Sequence, residues 1–307
     1  MKLQQLRFLT EVVRRGMNVS AAAKALHTAQ PGVSYQIGQL EKELNMPLFE
    51  RNGKRLVGIT QPGRAILAHA ERILREVDNI KQVGFEFTHQ AAGKLAIATT
   101  HTQACYALPN VIKEFTGHYP GVRLSIHQGN PTQIAELVAS NVADIAIATE
   151  AIDLYEDLVM MPCYQWNRCV IAPPDHPVFN EQPLTLSGIA DYPIITYDFA
   201  FAGRSKINKA FEEQGITPNI VLTAIDSDVI KTYVALGLGI GILANMAFDS
   251  ERDTKLRATD ASHLFEPSTT RIGLRRGRYL SGYMYAFIEL FAPHLDRKSI
   301  DAAMTSS

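Results

Sequence analysis

Between residues 19 and 37, small and apolar positions alternate with polar ones in a pattern that predicts two short helices. Ser20 to Leu26 reads as a small-residue helix, and His27-Thr28-Ala29 breaks it. A second helix opens on Gln30-Pro31, where the missing proline N–H costs nothing because it would be unpaired anyway. Alanines 21, 22, 23 and 25 allow the two helices to approach closely. Val33, Ile37, Leu40 and Leu44 give the second one an apolar stripe at 4-3-4 spacing. Gln30, Ser34, Tyr35 and Gln36 lie off that stripe, with Thr28 and Pro31 beside them at the turn. Such short or planar polar groups suit hydrogen bonds to base edges and phosphates, the layout of a helix-turn-helix with its recognition helix second. An ordinary helical hairpin would pack the same way, so residues 47–60 decide between the two.

That segment is basic. After the anchor Pro47-Leu48-Phe49 come Arg51, Lys54 and Arg55 around Asn52-Gly53. Asn-Gly between short extended runs predicts a hairpin, and a basic hairpin after a helix-turn-helix is a wing suited to phosphates. One long helix then starts with Thr60 as cap and Pro62 in its first turn. Along it Ile66, Ala70, Ile73, Val77, Ile80, Gly84 and Phe87 form a heptad seam. A seam so narrow calls for a second copy of itself, in preference to the chain's own later domain. The helix stops around 89–93, where the composition changes.

From residue 93 onward the pattern becomes short apolar strands separated by helical stretches, the signature of parallel βαβ units. Residues 124–149 and 220–245 echo each other, each running strand, polar turn, helix, break, strand. Ile134 aligns with Ile230, and Val138 with Val234. Two similar lobes facing one another would put a ligand in the cleft between them, at the carboxyl ends of strands. Three strand-end loops are candidates: Ala98 to Gln103, with Thr102 as helix cap; Ile147 to Glu150; and Phe201 to Ser205. The first combines a helix N-terminus, which favours anions, with three threonines and a glutamine and contains no Lys or Arg. It suits sulfate or a carboxylate held by neutral donors.

Charge supports this division. The 307 residues carry a formal net charge of −1, yet residues 1–88 hold 13 basic and 8 acidic side chains, a net +5 that leaves −6 on the remainder. A nucleic-acid-binding end joined to a neutral or acidic module fits that asymmetry. Cys105, Cys163 and Cys169 have neither a disulfide framework nor metal-ligand spacing, so a reducing cytoplasm is expected. Met1-Lys2 leads into an amphipathic helix without a signal peptide. The uncharged run Thr232 to Phe248 is too short to span a bilayer and reads as buried core.

MKLQQLRFL, AAAKALHTAQPGVSYQIGQLEKELNMPLFER and ITQPG resemble the N-terminal domain of LysR-type transcriptional regulators. Ala29 and Tyr35 depart from the family's usual serine and its usual arginine or lysine. ATTHTQACYALPNVIKEF, QGNPTQIAELV, ADIAIATEA and DSDVIKTYVALGLGIGI resemble the CysB/Cbl branch of that family. The resemblance implies an α/β protein with a winged helix-turn-helix over 1–60 and a dimerising linker helix over 61–90. A two-lobed, Rossmann-like effector domain resembling periplasmic binding proteins would span 91–307, with lobe I at about 91–163 and 267–307 and lobe II at about 164–266. It implies an activator of sulfate-assimilation, cysteine and sulfonate genes that binds promoter DNA, self-associates as a homotetramer and engages RNA polymerase. No cofactor is implied; the effector would be a small anion such as sulfate, adenylyl sulfate or an acetylserine. Thr100, Thr102, Gln103 and Thr149 match the branch's effector positions, Trp166 falls in a matching segment, and Ala202 replaces the usual threonine of a Thr-Gly-Arg turn.

An enzyme is disfavoured. Gly237-Leu238-Gly239-Ile240-Gly241 precedes a strand and reads as tight packing, not as a nucleotide loop. His101, His127 and His176 lack paired metal spacing, and no GxSxG elbow is present. A solute-binding module without a DNA role would have no reason to carry the basic helix-turn-helix.

Overall fold

A computed structural model of the chain describes residues 1–53, 55–88, 92–149, 155, 157–181, 183–198 and 202–305, without the side chains at 85, 202 and 203. It divides into Met1–Thr88 and His89–Ser307.

In the first unit α1 (Leu3–Arg14), α2 (Val19–Ala25) and α3 (Gln30–Leu44) enclose a core that includes Leu9, Val12, Ala22, Val33, Ile37 and Leu40. Of the four alanines expected between helices, Ala22 and Ala23 are buried and Ala25 is exposed, since a seven-residue helix offers one narrow face. The wing is β1 (Phe49–Asn52) paired antiparallel with β2 (Arg55–Ile59). Asn52 pairs with Arg55, so the turn centres one residue later than the Asn-Gly signal predicts, and Gly53 takes the positive φ of 60°. Thr60 caps α4 (Gln61–Thr88): its hydroxyl accepts the Gly63 N–H at 3.0 Å and donates to the Pro47 carbonyl at 2.9 Å. Gly63 lies so close to the wing that a Cβ there would sit 2.2 Å from the Leu48 carbonyl oxygen.

The heptad seam divides into a part packed within the first unit and an exposed part. Ile66 and Ala70 pack into the winged domain's own core, which corrects the expectation of one continuous intersubunit seam. Farther along, Ile80 is 70% exposed and Phe87 79% exposed.

In the second unit the chain runs β3 (Ala92–Thr99), α5 (Leu108–His118), β4 (Gly121–Gln128), α6 (Pro131–Ala139), β5 (Ile145–Thr149) and β6 (Leu158–Trp166). It continues through β7 (Arg168–Ala172), α7 (Leu186–Ala190), β8 (Ile194–Tyr197), α8 (Ala202–Glu213), β9 (Ile220–Ala224), α9 (Ser227–Ala235) and β10 (Ile240–Ala244). It ends with β11 (Arg257–Asp260), β12 (Ser268–Arg275), α10 (Gly282–Phe291) and α11 (Arg297–Thr305). Two five-stranded sheets result, ordered β4-β3-β5-β12-β6 and β11-β7-β10-β8-β9.

Only part of each sheet is parallel. β3 runs parallel to β4 and β5, as β8 does to β9 and β10. β12 is antiparallel to β5 and β6, and β7 is antiparallel to β10 and β11. The expected parallel βαβ units are thus present, and the antiparallel strands are added where the chain passes between lobes, with Asn167 alone separating β6 from β7, since antiparallel pairing needs no helical crossover.

The internal echo is real in three dimensions. Ile134, Val138, Ile230 and Val234 are all fully buried. Asn130 and Asp226 cap the two equivalent helices, accepting N–H bonds from Gln133 at 2.9 Å and Val229 at 2.8 Å. The strands after them slip by one residue, Ile145 opening β5 and Ile240 opening β10. The glycine run is packing, as expected: a Cβ on Gly239 would lie 2.2 Å from the Pro193 carbonyl oxygen. The uncharged run containing it is buried along β10, but Leu236 and Leu238 are exposed, so core burial does not extend over its whole length.

Candidate functional site

The recognition face of the winged domain is open. Thr28, Gln30, Pro31, Ser34 and Tyr35 are exposed and Gln36 is half-buried, while Val33, Ile37 and Leu40 of α3 are buried. Helical spacing turns Tyr35 away from that stripe, whereas Gln30, nearly in line with Ile37, is the first residue of the helix. Arg55 on the wing is exposed; Lys54, the third wing cation, lies outside the described residues. Arg51 has a second task. Its guanidinium lies 2.7 Å from Glu41, whose other oxygen accepts the N–H groups of Leu48 at 2.9 Å and Phe49 at 3.2 Å. Arg51 therefore ties the wing to α3 as well as adding charge to it.

The effector candidates converge at the carboxyl ends of β3 and β5. Thr100, Thr102, Gln103, Thr149, Trp166, Tyr197 and Ile225 line one cavity, with about 420 Å³ of space that is partly open solvent. None of these lining residues is charged. Glu150 and Phe201, at the edges of the other two candidate loops, lie outside the described residues. Thr102 does not cap a helix, contrary to the sequence expectation. The helical turn already begins at residue 101, and the carbonyl of Thr100 accepts the Ala104 N–H at 3.0 Å, so Thr102 sits inside the first turn. Its hydroxyl instead lies 3.3 Å from that of Ser227, the first residue of α9 in the other lobe. Gln103 opens a π-helical turn, Gln103–Ala107, that widens the helix just before α5. Such turns are frequent at functional sites.

Gln103 is 2% exposed and held from both ends: its amide donates to Thr270 at 3.1 Å and its carbonyl accepts the Tyr164 hydroxyl. Burial pushes the Tyr164 phenol up, so it stays protonated and able to donate. Trp166 contributes a buried indole N–H that has no hydrogen-bond partner among the described residues. A buried donor without a partner costs about 1–3 kcal/mol, so it favours an acceptor at its open side.

Tyr197 and Ser227 do not stand out as site residues in the sequence. The Tyr197 hydroxyl lies 2.7 Å from Ser227 Oγ and accepts the Ala244 N–H at 3.1 Å. Burial pushes its pKa up, which keeps it neutral. The signal that points to it is the repeat itself, since Tyr197 closes β8, the counterpart of β3. Ala202 begins α8, and its side chain lies outside the described residues. Two positions on, Arg204 is buried, with Nη1 3.3 Å from the Tyr197 carbonyl and Nε 2.7 Å from Asn208 Oδ1. It braces the end of β8 from behind.

Two family models cover nearly all of the chain: a bacterial regulatory helix-turn-helix of the lysR family matches residues 3–64, and a LysR substrate binding domain matches residues 88–296. The chain is 54% identical to the HTH-type transcriptional regulator CysB of Burkholderia cenocepacia, over 99% of this chain and 97% of that protein. It is 53% identical to the regulator SsuR of the same organism, over 98% of this chain and 97% of that one. Among solved structures, the cofactor-binding domain of the Cbl transcriptional regulator superposes with a TM-score of 0.69 at 44% identity, covering 71% of this chain and 96% of that domain.

Proposed function

Because this chain belongs to the LysR family of bacterial transcriptional regulators, we propose that it controls sulfur-assimilation and sulfonate-utilisation promoters in response to a small anionic metabolite. Its helix-turn-helix binds DNA, and its effector segments carry the CysB/Cbl pattern. The observation that carries the ligand reading is the cavity at the ends of β3 and β5, where Thr100, Thr102, Thr149 and the Trp166 indole gather without a charged neighbour in the lining. Neutral donors at the start of a helix bind tetrahedral or planar anions without the desolvation cost of burying a cation. Sulfate, adenylyl sulfate and the acetylserines fit this chemistry, and Ala202, which stands where the resemblance implies a threonine, would shift the choice among them.

In this reading the protein acts in the cytoplasm by binding and not by catalysis. Two copies join along the exposed part of α4, pairs associate as a tetramer, and the occupied cleft alters contacts with RNA polymerase. Anisotropy titration of labelled promoter DNA from sulfate and sulfonate genes, with and without each candidate anion, tests it. A metabolite-dependent change in affinity on those promoters and none on unrelated DNA supports the proposal. Identical binding in all conditions defeats it.

A further inference from the structure

Beside the cleft, on the solvent side of the same helical turn, a second cluster takes no part in the effector lining or the DNA-binding face. His101 Nε2 lies 3.4 Å from Cys105 Sγ and 3.5 Å from Asp228 Oδ2. The three ligand-type atoms all fall within 4.8 Å of one another. His101 and Cys105 are one helical turn apart before α5, in lobe I, whereas Asp228 belongs to α9, in lobe II. With metal–nitrogen and metal–sulfur bonds of about 2.0 and 2.3 Å, a tetrahedral site separates its ligand atoms by about 3.5 Å, matching the two distances measured from His101.

The third ligand is oriented by its surroundings. Asp228 Oδ1 accepts the Tyr106 hydroxyl and lies 3.1 Å from Lys231 Nζ, which leaves Oδ2 turned toward His101. Lys231 is itself matched by Asp253 at 3.1 Å and bonded to the Ala247 carbonyl at 3.1 Å. Its positive charge is thus spread over two carboxylates. Outer partners of this kind are what fix a metal-binding carboxylate.

We propose that His101, Cys105 and Asp228 bind a borderline divalent transition metal of the zinc class, with the fourth position open, and that the ion ties lobe I to lobe II. A thiolate and an imidazole select this class over magnesium or calcium, which prefer all-oxygen ligands. Binding releases the Cys105 thiol proton to solvent and forms the metal–sulfur bond. Three protein ligands with an open position mark an exchangeable site, not a closed structural one. Sequence spacing does not reveal the set because Asp228 comes from a distant helix in the other lobe. The site does not depend on the effector's identity.

Cobalt(II) titration of the full-length chain tests it. The expected result is one cobalt per chain with a thiolate-to-cobalt charge-transfer band and the intense visible bands of tetrahedral cobalt, both abolished by zinc. Cys105→Ser should lose the charge-transfer band. His101→Gln and Asp228→Asn should each weaken binding at least tenfold, the latter because the ion bridges lobes. Cys163 and Cys169 are buried in strands and supply no such signal while circular dichroism shows the fold intact. No charge-transfer band in the parent, or one that persists in Cys105→Ser, overturns the site. Unchanged affinity in a folded Asp228→Asn overturns the bridge between lobes.

Discussion

Thr102 and Ser227 meet across the two lobes, hydroxyl to hydroxyl at 3.3 Å. Ser227 is also 2.7 Å from the Tyr197 hydroxyl, which accepts the Ala244 N–H. The side chain that lines the cleft from lobe I is therefore wired to the strand ends of lobe II. A ligand that takes a hydrogen bond from Thr102 changes this chain of hydroxyls, so occupancy and the lobe-to-lobe contact are linked. An effector that alters this contact has a differential interaction with the two lobe arrangements, which a switch requires.

Thr102→Glu should abolish binding of the anionic effector. The substitution fixes a carboxylate where the anion belongs, and like charges that close are strongly disfavoured. Ser227→Ala should have a smaller effect, because one neutral hydrogen bond contributes only about 0.5–1.5 kcal/mol. Calorimetry with sulfate, adenylyl sulfate, O-acetylserine and N-acetylserine measures both. Parental affinity in Thr102→Glu would move the site elsewhere.

The winged domain is legible in the sequence because its signals are local. The stripe Val33, Ile37, Leu40 and the break before Gln30-Pro31 lie within one helical hairpin and dictate which face is buried. The repeat is legible for the same reason, through Ile134, Val138, Ile230 and Val234. The features that escape the sequence are non-local. β12 and β7 run antiparallel because of where the chain crosses between lobes, a property no short pattern encodes. Tyr197 and Ser227 read as an ordinary strand end and an ordinary helix start until folding sets them beside Thr102. Thr102 itself has the residue type of a cap, and a small shift of the helix start toward the strand leaves that local pattern unchanged.

The two described wing arginines should behave differently when replaced. Arg55 is exposed, and Arg55→Ala should weaken binding to all DNA and reduce the salt slope by about 1, with unchanged thermal stability. Arg51 also pairs with Glu41, so Arg51→Ala should weaken binding and loosen the wing together. Glu41→Ala should lower stability more, since it leaves two N–H groups, of Leu48 and Phe49, without their acceptor, at about 1–3 kcal/mol for a buried group. Melting curves beside salt-dependent anisotropy separate the two roles. If Arg51→Ala and Arg55→Ala prove indistinguishable in both, the anchoring role of Arg51 is wrong.

On the recognition helix, Gln30→Ala and Ser34→Ala should relax discrimination and leave random-sequence binding nearly intact. Both side chains are exposed, so neither carries core packing. A lost bidentate base contact costs about 1–3 kcal/mol, and the single-hydroxyl serine belongs at the low end. Competition between operator and random duplexes measures the ratio. Equal loss on both would make these residues phosphate contacts.

Ile80→Asp should prevent subunit pairing without unfolding the chain. Ile80 is 70% exposed and Phe87 79% exposed, on a helix whose earlier seam residues, Ile66 and Ala70, already pack against the winged domain. Replacing Ile80 therefore removes no contact within its own subunit core. In a paired helix the new carboxylate would be buried against an apolar seam, where desolvation of an unpaired charge costs several kcal/mol per ion. Two such charges face each other across a symmetric pair, which raises the penalty. Ala70→Asp is the contrasting variant: Ala70 is 1% exposed within the winged core, so that change should unfold the domain as well as disturb assembly. Light scattering gives the oligomeric state and circular dichroism the fold. The expected outcome is a folded, smaller species for Ile80→Asp and a destabilised one for Ala70→Asp. An Ile80→Asp protein of parental mass would show that the exposed half of the seam is not where subunits meet.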